Sequence, residues 1–166
     1  KICVVTNPAS NLKLASGIAP VKTYLEKGIP VAIGTDGPAS NNCLDMFKEM
    51  FLVTGLQKVV HNDPEAVPAA DVLKMATVNG AYAMGLDNCD ILAEGKYADL
   101  IMIDLMQPNQ NIEKNVVYSA SKLNVKMTMI NGRAVYQNGK FKIGESVEDI
   151  YENANRIAER ILDGKE

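Results

Sequence analysis

The stretch that most constrains how this chain can fold is Val31-Ala32-Ile33-Gly34-Thr35-Asp36-Gly37, continued by Pro38-Ala39-Ser40-Asn41-Asn42. A short apolar run bounded by turn residues reads as a strand buried on both faces, the habit of a parallel sheet. When such a strand ends in one carboxylate and a glycine, the carboxylate is delivered to the rim of the sheet. Asp36 is therefore the first candidate for chemistry. Position alone leaves a second reading open, because an Asp after a strand also serves as a turn residue or a helix cap.

Upstream, residues 2–6 form another apolar run, closed by the turn dipeptide Asn7-Pro8. Residues 9–17 read as a polar loop, longer than a plain connector and of the kind that carries function after a parallel strand. Pro20 suits the first position of a helix, Val21, Tyr24 and Leu25 share one face, and Gly28 stops the helix. Residues 1–36 thus read strand, loop, helix, strand. This is a βαβ unit, which requires parallel strands and a right-handed crossover.

Downstream, Asn42 is the expected N-cap of a helix, with Asp45 completing an approximate capping box. Leu44, Phe47, Met50, Phe51 and Thr54 fall on one face, and the pattern fades near Val60. His61-Asn62-Asp63-Pro64 is a turn, with Asp63 a candidate cap. A helical pattern resumes from Ala69 to Met84, weakest at Gly80, with Gly85 as its C-cap. After Leu86 the character changes. Residues 95–104 read as a turn and a strand, residues 115–118 as a short strand or extended segment, and Val125, Met127 and Met129 alternate as in a half-buried strand. Asn131-Gly132 marks a hairpin and Asn138-Gly139 a second turn before Phe141. Val147, Ile150, Tyr151, Ala154, Ile157, Ala158 and Ile161 stripe a closing amphipathic helix. The expected organisation is an α/β piece over residues 1–86, a small sheet over 87–145 and a helix over 146–166.

Seventeen basic and twenty acidic residues give a net charge of -3 with no basic stripe, so nucleic acid is not a natural partner. No apolar run approaches the ~20 residues of a membrane helix. Cys3, Cys43 and Cys89 are odd in number and widely spaced, which points to free thiols in a reducing, cytoplasmic compartment. The chain opens at Lys1 directly in a strand, and one βαβ unit has too few strands to cover a sheet on both faces. The expectation is a C-terminal piece of a longer protein.

Residues 5–21, with Thr6-Asn7-Pro8-Ala9-Ser10-Asn11-Leu12-Lys13-Leu14 at their centre, are followed by Gly34-Thr35-Asp36-Gly37-Pro38-Ala39-Ser40-Asn41-Asn42-Cys43-Leu44-Asp45-Met46. Together with residues 75–81, 94–101, 117–120 and 129–133, this ordered set resembles the amidohydrolase superfamily. Within it, the set is most similar to the 5-methylthioadenosine/S-adenosylhomocysteine deaminase branch, near the chlorohydrolase-type enzymes. The resemblance implies the C-terminal part of a (β/α)8 barrel, with residues 2–6 as its seventh strand and 31–35 as its eighth, plus part of a small β sandwich and a C-terminal helix. It also implies one divalent metal, usually zinc, at the C-terminal rim of the strands, which is where barrel active sites lie. The family holds that metal with a His-x-His pair, further histidines and one Asp on the eighth strand, the position that Asp36 matches. This chain has one histidine, His61, and it falls outside any matching strand. The His-x-His pair, the later histidines and the glutamate general acid are expected upstream of the chain.

By that resemblance Asp36 is at once metal ligand, catalytic proton shuttle and substrate contact, helping a metal-activated water displace ammonia from a purine carbon. Ser40 and Asn41 are candidate substrate contacts at the pocket mouth, and Asn42 is weighed more as a cap. Asn7, Ser10 and Asn11 are expected to shape a rim loop. His61 is expected at the surface or in packing, Cys43 buried, and Met46, Met50, Met75 and Met84 in the core. The implied function is deamination of an adenosine-type nucleoside by the full-length parent, this chain alone lacking a complete site and so a bound metal. Guanine or cytosine deamination and chlorohydrolysis use the same rim and stay as alternatives. So does a non-catalytic fragment or module that needs a partner, and the open barrel edge is expected to be covered either by contacts of a homo-oligomer or by rearranged packing.

Overall fold

A computed structural model describes residues 2–105 and 110–164. The chain runs β1 (Val4–Thr6), α1 (Pro8–Lys13), α2 (Val21–Glu26), β2 (Val31–Ile33), α3 (Met46–His61), α4 (Ala69–Ala76), α5 (Val78–Met84), β3 (Leu100–Ile103), α6 (Ile112–Tyr118), β4 (Val125–Ile130), β5 (Arg133–Gln137), β6 (Lys140–Phe141) and α7 (Val147–Leu162). β1 and β2 pair in parallel, with Val4 opposite Val31, Val5 opposite Ala32 and Thr6 opposite Ile33. β3, β4, β5 and β6 form an antiparallel meander in that order. The expected βαβ unit is therefore present, and so is a small antiparallel sheet after it, built of four strands.

Four local expectations are corrected. The stretch after Asn7 is not all loop, because Pro8 opens the six-residue helix α1. Proline loses nothing at a first helical position, where its missing N–H would have had no partner. The cap of α3 is Asp45, whose side chain accepts from the Phe47 amide, rather than Asn42. Leu44 has a φ of +45°, so the helix cannot begin before it and Leu44 leaves the apolar face. The Ala69–Met84 stretch breaks at Thr77, not Gly80. The Thr77 hydroxyl bonds back to the Leu73 carbonyl at 2.7 Å, the local competition that makes threonine a poor interior helix residue. Finally, residues 115–118 are helical, not extended, because α6 inserts Val117 into the core at 1% exposure. Burial here overrides the β preference of two adjacent valines.

The core gathers Val21, Val31, Ile33, Phe47, Met50, Val53, Val67, Val72, Met75 and Val117. β2 is buried throughout, and α3, α4 and α5 cover it. Polar groups inside this layer are paired. Gln57 accepts from the Lys22 amide and donates to the Ala19 carbonyl, stitching the start of α2 to α3. The Thr54 hydroxyl donates to Val67 O at 2.8 Å and lies 3.2 Å from the Tyr118 hydroxyl. The Tyr118 ring meets Phe51 edge-on at 6.3 Å, so Phe51 sits at the border of the core, half-exposed, and not within it. The Asn131-Gly132 and Asn138-Gly139 turns place both residues of each pair at positive φ, the geometry that matches the twist of a tight hairpin.

Met75 is fully buried while Leu123 is 84% exposed. Met75→Ala is expected to lower unfolding free energy by about 2–5 kcal/mol through lost burial and a residual cavity. Leu123→Ala should stay within roughly 0.5 kcal/mol. Urea titrations followed by circular dichroism check both, and equal effects would contradict the described core.

Candidate active site

Parallel pairing brings the C-terminal ends of β1 and β2 to one rim. The register is extended past the strands by the Gly34 amide, which donates to Thr6 O at 2.9 Å. Gly34 allows the close approach of Asn7, whose carboxamide a Cβ at position 34 would strike. Beyond Thr35 the backbone turns into the left-handed region at Asp36, with φ at +60°. Aspartate tolerates that region better than most residues because its side chain can bond locally.

The Asp36 carboxylate accepts three hydrogen bonds. Ser10 Oγ and Ser40 Oγ each donate to Oδ2 at 2.6 Å, and the Gly37 amide donates to Oδ1 at 2.8 Å. Ser10, chiefly, then Ser40 and the Gly37 amide hold its pKa down to about 2, because each donor favours the charged form. The side chain is nonetheless exposed. An ionised, outward-facing oxygen donor thus stands at the rim, with one of its four lone-pair sites unused, on Oδ1.

Beneath it lies a second polar layer. Asn41 is 3% exposed, and its Nδ2 donates to Thr35 O and to Glu49 Oε1, both at 2.7 Å. The structure places Asn41 under the Asp36 loop, while Ser40 is half-buried with its hydroxyl on Asp36. Glu49, fully buried on α3, also accepts from the Ala9 amide through Oε2 at 2.9 Å. Sequence reading missed Glu49. Its signal was an acid inside the 46/47, 49/50, 53/54, 57 stripe that helical spacing assigns to the core. Asn42 is taken by Lys13, whose Nζ donates to Asn42 Oδ1 at 2.7 Å and to Ala39 O at 2.9 Å. An open groove of about 400 Å³ beside the loop has walls from Lys13, Ser40, Asn41, Asn42, Lys48 and Lys122. Cys43 is half-buried, not buried, and the three cysteines are free thiols. Of the four methionines expected in the core, Met84 is 69% exposed.

Among the described residues no group of three or more His, Cys, Asp or Glu converges as a metal cage. His61 is exposed at the end of α3. Asp36 has the charge and exposure of one hard-metal ligand, but the described residues do not by themselves fit a complete zinc site, which takes about four ligands. Among them, too, no helix is long and apolar enough to cross a membrane.

The depressed pKa fixes the sign of a pH effect. The Asp36 bonds favour the folded state above the ordinary carboxylate range, near ~3.9, and that contribution disappears as pH falls through about 2. Ser10→Ala and Ser40→Ala should each move the Asp36 titration upward, read from its carboxyl carbon by NMR. Unchanged midpoints in both variants would refute the hydroxyl account.

The chain is similar to known proteins in sequence and in fold. A sequence profile of the Amidohydrolase family matches residues 1–135. The chain is 47% identical over 162 residues to the 5-methylthioadenosine/S-adenosylhomocysteine deaminase of Dictyoglomus thermophilum, covering 95% of this chain and 38% of that protein. It is 46% identical over 143 residues to the 5'-deoxyadenosine deaminase of Methanothermobacter thermautotrophicus, covering 84% of this chain and 33% of that one. The crystal structure of an adenosine deaminase from Xanthomonas campestris with bound zinc superposes with a TM-score of 0.91 at 37% identity, over 97% of this chain and 38% of that one. The chain therefore spans 33–38% of the length of these relatives. With a family profile matched over residues 1–135, most of its length, the chain belongs to the amidohydrolase family.

Proposed function

We propose that the protein carrying this segment hydrolytically deaminates an adenosine-type nucleoside, with 5-methylthioadenosine or S-adenosylhomocysteine as substrate. The observation that carries the reading is Asp36, held ionised at the rim of a parallel strand pair by Ser10, Ser40 and the Gly37 amide. The names of the relatives support an adenosine-type substrate, and the zinc in a structural neighbour supports a divalent metal. In this reading β1 and β2 are the seventh and eighth strands of the barrel, the meander is part of a composite β sandwich, and the protein works in a reducing cytoplasm.

Asp36 would supply one oxygen to the metal, the other ligands coming from residues outside this chain. The metal's chemistry is activation of a water nucleophile. What this chain contributes is a carboxylate charged at neutral pH and fixed in direction. Its spare lone pair is on Oδ1, while both serine hydroxyls occupy Oδ2. If Asp36 is also to take a proton on Oδ2, one hydroxyl must turn away. Ser40 is the one free to do so, because it lies on a partly exposed turn while Ser10 is 2% exposed on α1. A proton received there would be returned to the departing ammonia, the acid and base halves of one cycle on one carboxyl group.

Ammonia release from 5-methylthioadenosine by the whole protein tests the proposal. Asp36→Ala is expected to lower kcat by about 10²–10⁴-fold, and full activity in that variant would overturn the assignment. Treatment with a chelator should abolish turnover and added zinc restore it. Residues 1–166 alone are expected to retain no stoichiometric zinc by elemental analysis and to release no ammonia.

A further inference from the structure

We propose that Glu49 is a positioning residue for Asp36, a buried clamp that holds both serine-bearing segments against the carboxylate. This inference rests on the catalytic reading of Asp36 given above. Glu49 is fully buried, and its hydrogen bonds go to Ala9 and Asn41 and not to Asp36 itself. Each of its oxygens grips a different segment. Oε2 accepts from the amide of Ala9, the residue before Ser10, at 2.9 Å. Oε1 accepts from Nδ2 of Asn41, the residue after Ser40, at 2.7 Å. The same Asn41 nitrogen donates its second hydrogen to the carbonyl of Thr35, the residue before Asp36, at 2.7 Å. One carboxyl group therefore fixes a backbone neighbour of Ser10, reaches the chain neighbour of Ser40, and through Asn41 reaches the neighbour of Asp36.

The anchor itself is rigid. Glu49 projects from α3, which is pinned in the core by Phe47, Met50 and Val53. The segment it holds needs such an anchor, because Asp36 and Leu44 both sit at positive φ and so bracket a loop that local preference does not favour. A glutamine at position 49 has nearly the same shape but one acceptor and one donor group. It can satisfy Ala9 N–H or Asn41 Nδ2, and must turn its own NH₂ toward the other donor. The clamp would then open on one side without the loss of core volume.

In the whole protein, Glu49→Gln is expected to lower kcat by about 10²-fold with KM within roughly threefold, the signature of a misdirected carboxylate with binding kept. Hydrogen–deuterium exchange read by mass spectrometry should show faster uptake in peptides covering residues 7–12 and 34–44, with the core peptide over residues 69–76 unchanged. Asn41→Ala removes the other half of the same link and should give a similar profile, and the double variant should be little worse than either single one. Should Glu49→Gln fail to fold, Asn41→Ala carries the same test. Unchanged uptake over 34–44, a kcat within twofold of the parent, additive losses in the double variant, or equal loosening over 69–76 would each overturn the clamp. Absence of deaminase activity in the parent protein would instead refute the proposed reaction, leaving the exchange pattern to decide on Glu49.

Discussion

The parallel pairing of β1 with β2 is the constraint on which everything else rests. Parallel strands end on the same side, so the segments that follow them, α1 after β1 and the Asp36 turn after β2, must meet at one rim. That is how Ser10 comes within 2.6 Å of a carboxylate 26 residues away. The burial of all three β2 residues makes the register costly to shift, since sliding the strand would draw a buried apolar residue out of the layer.

Around that rim the chain arranges polar groups in two tiers with different duties. The upper tier, Ser10, Ser40 and the Gly37 amide, favours the charged form of Asp36 and leaves it exposed. The lower tier, Asn41 and Glu49, is buried and satisfied within the chain. Buried polar groups are tolerated only when paired, and a fully paired network fixes one geometry in a way that apolar contacts cannot. Gln57 plays the same part further along α3, where it stitches on the start of α2.

Apolar surface is distributed unevenly. Ile2 is 82% exposed and Val5 49%, and every residue of α7 except the half-buried Val147 is exposed despite its apolar stripe of Ile150, Ile157 and Ile161. By contrast, α6 packs against α3 and α4, with Val117 1% exposed in the shared core. α6 thus ties the stretch between β3 and β4 back to the layer that carries the site.

Much of the fold was legible in residue order. The apolar runs, Gly28, Gly85 and the two Asn-Gly turns each specify a local conformation that short-range sterics decide, and all appear in the structure. Asp36 was legible for the same reason, as the carboxylate that ends a buried strand. What local chemistry alone did not decide were choices made by distant contacts. Val116 and Val117 prefer strand in isolation and become helical because α3 and α4 offer burial. Asn42 is a good cap in isolation and is captured instead by Lys13 from another segment. Glu49 looked like one more charge on a helix, and only the folded chain sets the Ala9 amide and Asn41 beside it. The sequence by itself determined where strands, turns and a rim acid lie, since those depend on neighbours along the chain. The tertiary structure decided which donors surround that acid and which group holds them there, since such bonds join residues that meet only when the parallel strands bring their ends together.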